Sequence, residues 1–444
     1  MAPPQPPAAG QESLVARLGF PDLTGNGRFV AANVIDSLAS GLVMAFMVVY
    51  FTGTTDLSLV SVGTSLTLGY ALALPAPALA GWLLDRIGPR RVVAVGNLVS
   101  AVGFVSLLLA GSAWQIVATQ LVVQTGASLY WTSGSALVAL VAQEHDRTRW
   151  FAFIRALRNV GIGFGGAVAA LAVAVADVNG LRALVALNAA GYLAAAWLIT
   201  SWRPVREPAP DTSAPGAKAP SRASYLMVLR DGAYMRLVAA NVSFVLASMV
   251  LSILLGLYAT DSLRVGAWVA GVLITLNTAL VATTQTVASR WIERRRTTRV
   301  IALAAVVNAV AFTVFAVLGV LPSWAVAVGL PAAVIVYTLA EILGSPPMGE
   351  LSVALAPAHA RGRYLGVFQL SWTLGGVIAP AALTTLLSWG PAWPWLFLAT
   401  VSVLSVPLVL SLESRVRRGT DHASPPAGSV EPAPDTTALE GNPS

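Results

Sequence analysis

Apolar residues recur along this chain in long blocks rather than at the spacing of a half-buried strand or an amphipathic helix face. A helix rising 1.5 Å per residue needs about 20 mostly apolar residues to cross a bilayer core. Twelve such blocks stand between clusters of charge, Pro or Gly: Phe29–Thr52, Leu59–Leu84, Val92–Ala110, Trp114–Val141, Trp150–Ala176, Leu181–Trp202, Leu237–Thr260, Val265–Ser289, Val300–Val320, Trp324–Leu355, Tyr364–Ser388 and Trp393–Leu412. Each predicts a membrane-spanning helix. Pro3, Pro4, Pro6 and Pro7 and the lack of any apolar run before Phe29 predict a retained first helix and no cleavable signal peptide.

Five units follow. A segment 1–28 precedes a six-helix bundle 29–202. Residues 203–236, with Pro204, Pro208, Pro210, Pro215 and Pro220, read as a flexible linker. A second six-helix bundle covers 237–412, and the Pro-rich, acidic tail 413–444 predicts disorder. The expected fold class is an all-α integral membrane protein of two six-helix halves.

Composition agrees. The chain is 56% hydrophobic and 11% charged, against about 25% charged in soluble domains, which excludes a water-soluble globule. Without Cys there is no disulfide framework, thiolate metal site or catalytic thiol. The 27 Lys plus Arg outnumber the 20 Asp plus Glu, but their placement follows topology. With the N-terminus inside, 25 of the 27 fall in cytoplasmic segments and adjoining helix ends, Arg155 and Arg158 among them; only Arg182 and Arg264 fall outside. The bilayer, not nucleic acid, accounts for the basic excess. The expected location is a bacterial inner membrane with both termini cytoplasmic.

The halves repeat each other. Asn33-Val34, Leu38-Ala39-Ser40 and Tyr50 recur 208 residues later as Asn241-Val242, Leu246-Ala247-Ser248 and Tyr258. His145, Arg147, Arg149, Trp150 and Gly161 recur 214 residues later as His359, Arg361, Arg363, Tyr364 and Gly375. Parallel six-helix repeats around a midplane cavity are one plan of secondary transporters.

Gly81-Trp82-Leu83-Leu84-Asp85-Arg86-Ile87-Gly88-Pro89-Arg90-Arg91 joins the second and third blocks. Gly81 suits close helix approach, Gly88 a helix C-cap, and the Arg residues an anionic membrane surface. This segment closely resembles the G-x-L-x-D-R-x-G-R-R signature of the major facilitator superfamily. Ala356-Pro357 through Arg361-Gly362-Arg363-Tyr364 is similar to that family's tenth-to-eleventh loop.

The resemblance implies the family's twelve-helix fold with a pseudo-two-fold, alternating access, no cofactor beyond a proton gradient, and small-molecule substrate, protons and lipid bilayer as partners of a monomer. It implies a cytoplasmic gate built from Gly81, Asp85, Arg86, Gly88, Arg90 and Arg91 with Arg361 and Arg363, Asp85 facing the start of the eleventh helix. The corresponding loop Arg290–Arg296 keeps the basic run without the Asp and Gly pattern, so the gate is expected to be anchored in the N-terminal half. Two features depart from the family's drug and proton antiporters: the fourth block has no Arg, and Gly163-Phe164-Gly165-Gly166 lacks the proline of their fifth helix.

Ionisable residues inside spans are functional candidates because inserting them is costly. Asp36 lies about 10 Å into the first helix, and Arg158 at similar depth in the fifth, so the two can pair either to fix packing or to couple transport. Asp36 and Glu341 are the candidate proton-coupling and cavity residues, with Arg158 and Asn33. Glu341 either exchanges a proton, pairs with a cationic cargo, or bonds a neighbouring helix as a neutral acid. Pro346 and Pro347 after it predict a break or kink. Tyr130, Trp131, Trp268 and Trp372 read as interfacial belt anchors or as an aromatic cavity surface.

No G-x-x-x-x-G-K-[ST] is present, and His145, His359 and His422 all fall in loops or tail. Transporter, not enzyme, is the expected class. The expected cargo movement is proton-coupled export of a hydrophobic or weakly basic small molecule, with uptake or exchange of a metabolite as the alternative.

Overall fold

The computed structural model describes residues 20–44, 47–142, 146–175, 178–204, 225–266 and 268–415. The expectations for residues 1–19, for most of the linker and for the tail beyond 415 lie outside the described residues.

Helix occupies every predicted block. In the N-terminal half these are α1 (Gly27–Met44), α2 (Met47–Thr54), α3 (Leu59–Leu72), α4 (Ala76–Ile87), α5 (Pro89–Leu107), α6 (Ala113–Val141), α7 (Arg147–Val175) and α8 (Val178–Ser201). The C-terminal half holds α9 (Tyr225–Arg230), α10 (Gly232–Ser248), α11 (Leu255–Leu257) between two π-helical turns, α12 (Trp268–Glu293), α13 (Thr297–Leu318), α14 (Ser323–Ala354), α15 (Arg361–Trp389) and α16 (Trp393–Leu410). Nine helices among the described residues are long and apolar enough to cross a membrane on length and composition alone. The segments α1, α6 and α7 are not among them, and these three carry Asp36, Tyr130, Arg155 and Arg158.

Five boundaries differ from expectation. The second span is broken at Ala73–Pro75 into α3 and α4, since Pro75 and Pro77 cannot donate to the preceding turn. Helices α5, α7 and α15 begin at Pro89, Arg147 and Arg361, inside the Arg clusters, because hydropathy marks the hydrocarbon-immersed part of a helix while its polar end continues into the headgroup region. The end of the predicted linker is helical, from Tyr225 to Arg230 and again from Gly232.

Finally, α14 runs through Pro346 and Pro347 without a break. Pro346 has no N–H for the Ile342 carbonyl one turn back; Gln285 Nε2 of α12, fully buried, donates to that oxygen at 3.0 Å instead.

The duplication is visible in the packing. Helices α1 and α7 pair as α10 and α15 do, α5 and α6 as α13 and α14, and α5 and α8 as α13 and α16. Gly161 presses on Ser37, where an added Cβ would meet the Ser37 Cβ at 2.5 Å, and its counterpart Gly375 presses on Val245, the counterpart of Ser37. Only a residue without a side chain permits these approaches. Between the halves, α4 packs on α15 and α7 on α12 and α14. A small apolar cluster of Ala80, Leu84, Leu129, Ala136, Val353 and Leu365 seals the end where the Arg-rich loops lie.

Candidate functional site

Two layers of polar side chains join the halves. The outer layer lies at the Arg-rich end. Gly81 and Gly362 bring α4 and α15 so close that a Cβ on either would overlap the other's carbonyl oxygen. That approach delivers Asp85 to the start of α15, where Oδ1 accepts from the Gly362 N–H at 2.5 Å and Oδ2 pairs with Arg363 at 2.7 Å. A carboxylate at a helix N-terminus also meets the positive end of its dipole. Gly88 caps α4 at φ 79°, and its N–H reaches the Leu84 carbonyl at 3.1 Å.

The other predicted gate residues take different partners. Arg86 stacks on Trp82 with 3.8 Å to the ring centroid. Arg90 bonds the Thr200 carbonyl at 3.3 Å, Arg91 is exposed in the first turn of α5, and Arg361 is half-buried with an unpartnered Nε.

Beside the anchor expected in the N-terminal half stands a second one from the C-terminal half. Glu293 stands 208 residues after Asp85, the offset of the duplication, and its Oε2 takes Arg149 Nε at 2.9 Å and NH2 at 2.8 Å. Arg149 is the repeat counterpart of Arg363. The longer Glu side chain spans from α12 to α7 without the glycine-backed approach that Asp85 needs, which is why the Gly pattern could disappear while the ion pair stayed. Thr148 adds a hydrogen bond to Glu350 of the other half at 2.6 Å. A further bridge comes from α9, where the Tyr225 hydroxyl donates to the Ala78 carbonyl of α4. Burial pushes that hydroxyl up to about 12, so it remains a donor at neutral pH.

The inner layer is centred on α7, whose Arg155 and Arg158 sit one turn apart on one face. Arg155 reaches Glu341 of the other half at 2.5 Å, and the second Glu341 oxygen accepts from Asn277 at 3.0 Å. Glu341 is therefore committed to a cross-half pair. In the sequence Arg155 is a topology charge, and its i, i+3 spacing from Arg158 is the signal of a second role.

Arg158 stays within its own half. Its NH2 stands 3.9 Å from Asp36 Oδ2, an ion pair too long for a hydrogen bond. The guanidinium lies over Trp131 at 3.6 Å and near Tyr130 at 5.0 Å, and its NH2 is buried without a hydrogen-bond partner. Asp36 is 3% exposed. Asn33, one turn before it, donates to the Phe29 carbonyl at 2.9 Å and accepts the Tyr130 hydroxyl at 3.0 Å, which fixes the aromatic pair that carries Arg158. Trp131 thus carries Arg158 on its face.

Comparison with known proteins fits this geometry. The sequence profile of the Major Facilitator Superfamily matches residues 29–380. The chain belongs to that superfamily. It is 23% identical over 388 residues to a multidrug resistance protein MdtH of Edwardsiella ictaluri, covering 85% of this chain and 92% of that one. It is 24% identical over 393 residues to a Na(+), Li(+), K(+)/H(+) antiporter of Planococcus maritimus, covering 82% and 90%. Among solved structures, the human organic anion transporter MFSD10 (TETRAN) superposes with a TM-score of 0.69 at 16% identity, covering 91% and 100%. The transporter FucP in its outward conformation gives 0.66 at 15%, covering 88% and 98%.

The fold is therefore that of a superfamily transporter, two six-helix halves related by a pseudo-two-fold. The superfamily member is a multi-pass membrane protein that moves a small-molecule substrate, not an enzyme, and it draws on an ion gradient rather than a cofactor.

Proposed function

We propose that this transporter exchanges protons for a hydrophobic or weakly basic small molecule and exports it across a bacterial inner membrane. The observation that carries the reading is Asp36, an almost fully buried carboxyl whose cation among the described residues, Arg158, stands at 3.9 Å while it stacks on Trp131. A buried carboxyl that its cation does not reach for a hydrogen bond is available to a proton. A cationic cargo entering beside it disfavours that proton, and that competition is what antiport requires.

In this reading the Arg-rich end is cytoplasmic, by the preference of Lys and Arg for inner loops, and both termini lie inside. The outer layer of ion pairs, Asp85 with Arg363 and Glu293 with Arg149, is then the inner gate. Alternating access rocks one half against the other, parting both pairs together with Arg155 and Glu341. One relative is named for multidrug resistance and another for cation/proton antiport, which supports a proton-exchanging exporter. The transporter acts as a monomer, since one chain supplies both halves of the site.

The test is uptake of tetraphenylphosphonium into everted vesicles with an acidic lumen. Wild type accumulates the cation and Asp36→Asn does not. Equal accumulation by Asp36→Asn, with or without the gradient, removes Asp36 from the mechanism.

A further inference from the structure

We infer that Trp131 is the switch between proton and cargo: an aromatic, cationic cargo takes the indole face from Arg158, and the displaced guanidinium closes on Asp36 and drives off its proton. The inference rests on the reading of Asp36 as the exchange site, and adds to it both a cargo chemistry and a positioning residue.

An arginine carries five N–H donors. Buried in a membrane protein next to a carboxylate, it is expected to donate to it directly. Arg158 does not: its NH2 is 3.9 Å from Asp36 and has no hydrogen-bond partner. What holds it off is the Trp131 ring, 3.6 Å from the guanidinium carbon, with Tyr130 on its other flank. The guanidinium therefore exchanges a hydrogen-bonded ion pair for a cation–π contact, and about 1 Å separates the two arrangements.

The Trp131 face is also within reach of cargo. Trp131 is 43% exposed although Tyr130 beside it is buried. Arg155, one turn from Arg158 on the same face of α7, extends to Glu341 of the other half, so the Arg158–Trp131 stack borders the space between the halves. A cation arriving on the indole competes with Arg158 for the ring and repels it. The direction of retreat is Asp36, the nearest carboxylate.

The charge count then balances. Neutral, protonated Asp36 with Arg158 on the ring carries one positive charge. Cargo cation on the ring, with Arg158 bonded to ionised Asp36, again carries one; the Asp36 O–H bond breaks and its proton leaves to water. The groups facing Asp36 are Arg158 from α7, Tyr130 from α6 and Tyr192 from α8, and of these only Arg158 carries charge at neutral pH.

The experiment uses the purified full-length chain in detergent at low buffer strength, with a pH-sensitive dye reporting proton release as tetraphenylphosphonium is added across neutral pH. Wild type should release about one proton per bound cation, as reciprocal linkage of two exclusive ligands requires. Trp131→Ala should bind the cation about tenfold more weakly and release none, since the ring is lost. Trp131→Phe, which keeps an aromatic face and guards against a folding defect, should retain release. Arg158→Gln should bind the cation without release.

Proton release by Trp131→Ala equal to wild type overturns the switch while leaving Asp36 as the proton site. Undiminished release by Asp36→Asn overturns the proposed function beneath it. Wild-type binding without release, or binding of neutral triphenylphosphine oxide in preference to the cation, also overturns the switch.

Discussion

Replacing Gln285 by Leu isolates one hydrogen bond whose need was created elsewhere in the sequence. Pro346 cannot satisfy the Ile342 carbonyl, and Gln285 Nε2 does so from α12 at 3.0 Å in a fully buried setting. Leaving a buried carbonyl unmet costs about 1–3 kcal/mol. Interhelical hydrogen bonds in membranes average about 0.6 and reach about 1.7 kcal/mol.

Gln285 also has its own Oε1 buried without a partner, so Leu relieves one unmet group while creating another. The expected net loss is about 1 kcal/mol. In a Pro346→Ala background the restored N–H takes the Ile342 carbonyl within α14, and Gln285→Leu should then cost close to nothing. The coupling between the two positions should be about 1 kcal/mol, above the scatter of about 0.5 seen for independent sites. Denaturant unfolding in detergent, followed by the fluorescence of the 13 tryptophans, measures all four variants. Equal costs of Gln285→Leu in both backgrounds would refute the reasoning.

Three further outcomes are expected. Glu293→Gln and Asp85→Asn should each shift the population toward the state open at the Arg-rich end by a similar amount, read as spin-label distances between cysteines introduced into this naturally Cys-free chain; an effect of Asp85→Asn alone would restore the one-sided gate. Tyr225→Phe removes the bond from α9 to the Ala78 carbonyl and should move the same distances in the same direction, whereas a bystander would leave them unchanged.

Burial acts to raise the Asp231 carboxyl, but the two-pronged Arg415 contact at 2.7 and 2.8 Å, the Tyr234 N–H and the Tyr364 hydroxyl outweigh it and hold it below 3.8. A carboxyl with a depressed native value contributes stability that is full above the unfolded range and is lost as pH falls through the native one. Wild type should accordingly lose stability on acidification below about pH 4 more steeply than Asp231→Asn; parallel acid curves would show that the pairing contributes nothing.

Much of the site was legible in sequence because its parts are local or repeated. The Gly81 to Arg91 loop named Asp85, and the similar tenth-to-eleventh loop named its partner segment, where Gly362 and Arg363 indeed receive it. Asp36, Arg158 and Glu341 stood out because charge is scarce inside spans. The twin ion pair was missed although Glu293 lies at the repeat offset, because a motif search looks for Asp with glycines, and a longer acid needs none. Arg155 was missed because a basic residue near a helix end is equally a topology marker. Nothing local to Trp131 distinguishes it from a belt tryptophan, since only Arg158 lying on its face makes the difference.

By itself the sequence determined the solvent of the chain and its family, and predicted twelve crossings, their orientation and a division into two related halves. Those properties follow from length, hydropathy and charge counted along one dimension, and the bilayer enforces them on each helix separately. The tertiary structure decided which ionised groups meet: Glu341 with Arg155 rather than with a proton alone, Glu293 with Arg149, and Arg158 with Trp131 in preference to a tight bond with Asp36. It also decided that α14 survives two prolines, because Gln285 on another helix supplies the missing donor. In each case the outcome depends on distances of a few ångströms between helices far apart in sequence, where exchanging one hydrogen-bond partner for another shifts the balance by no more than a few kcal/mol.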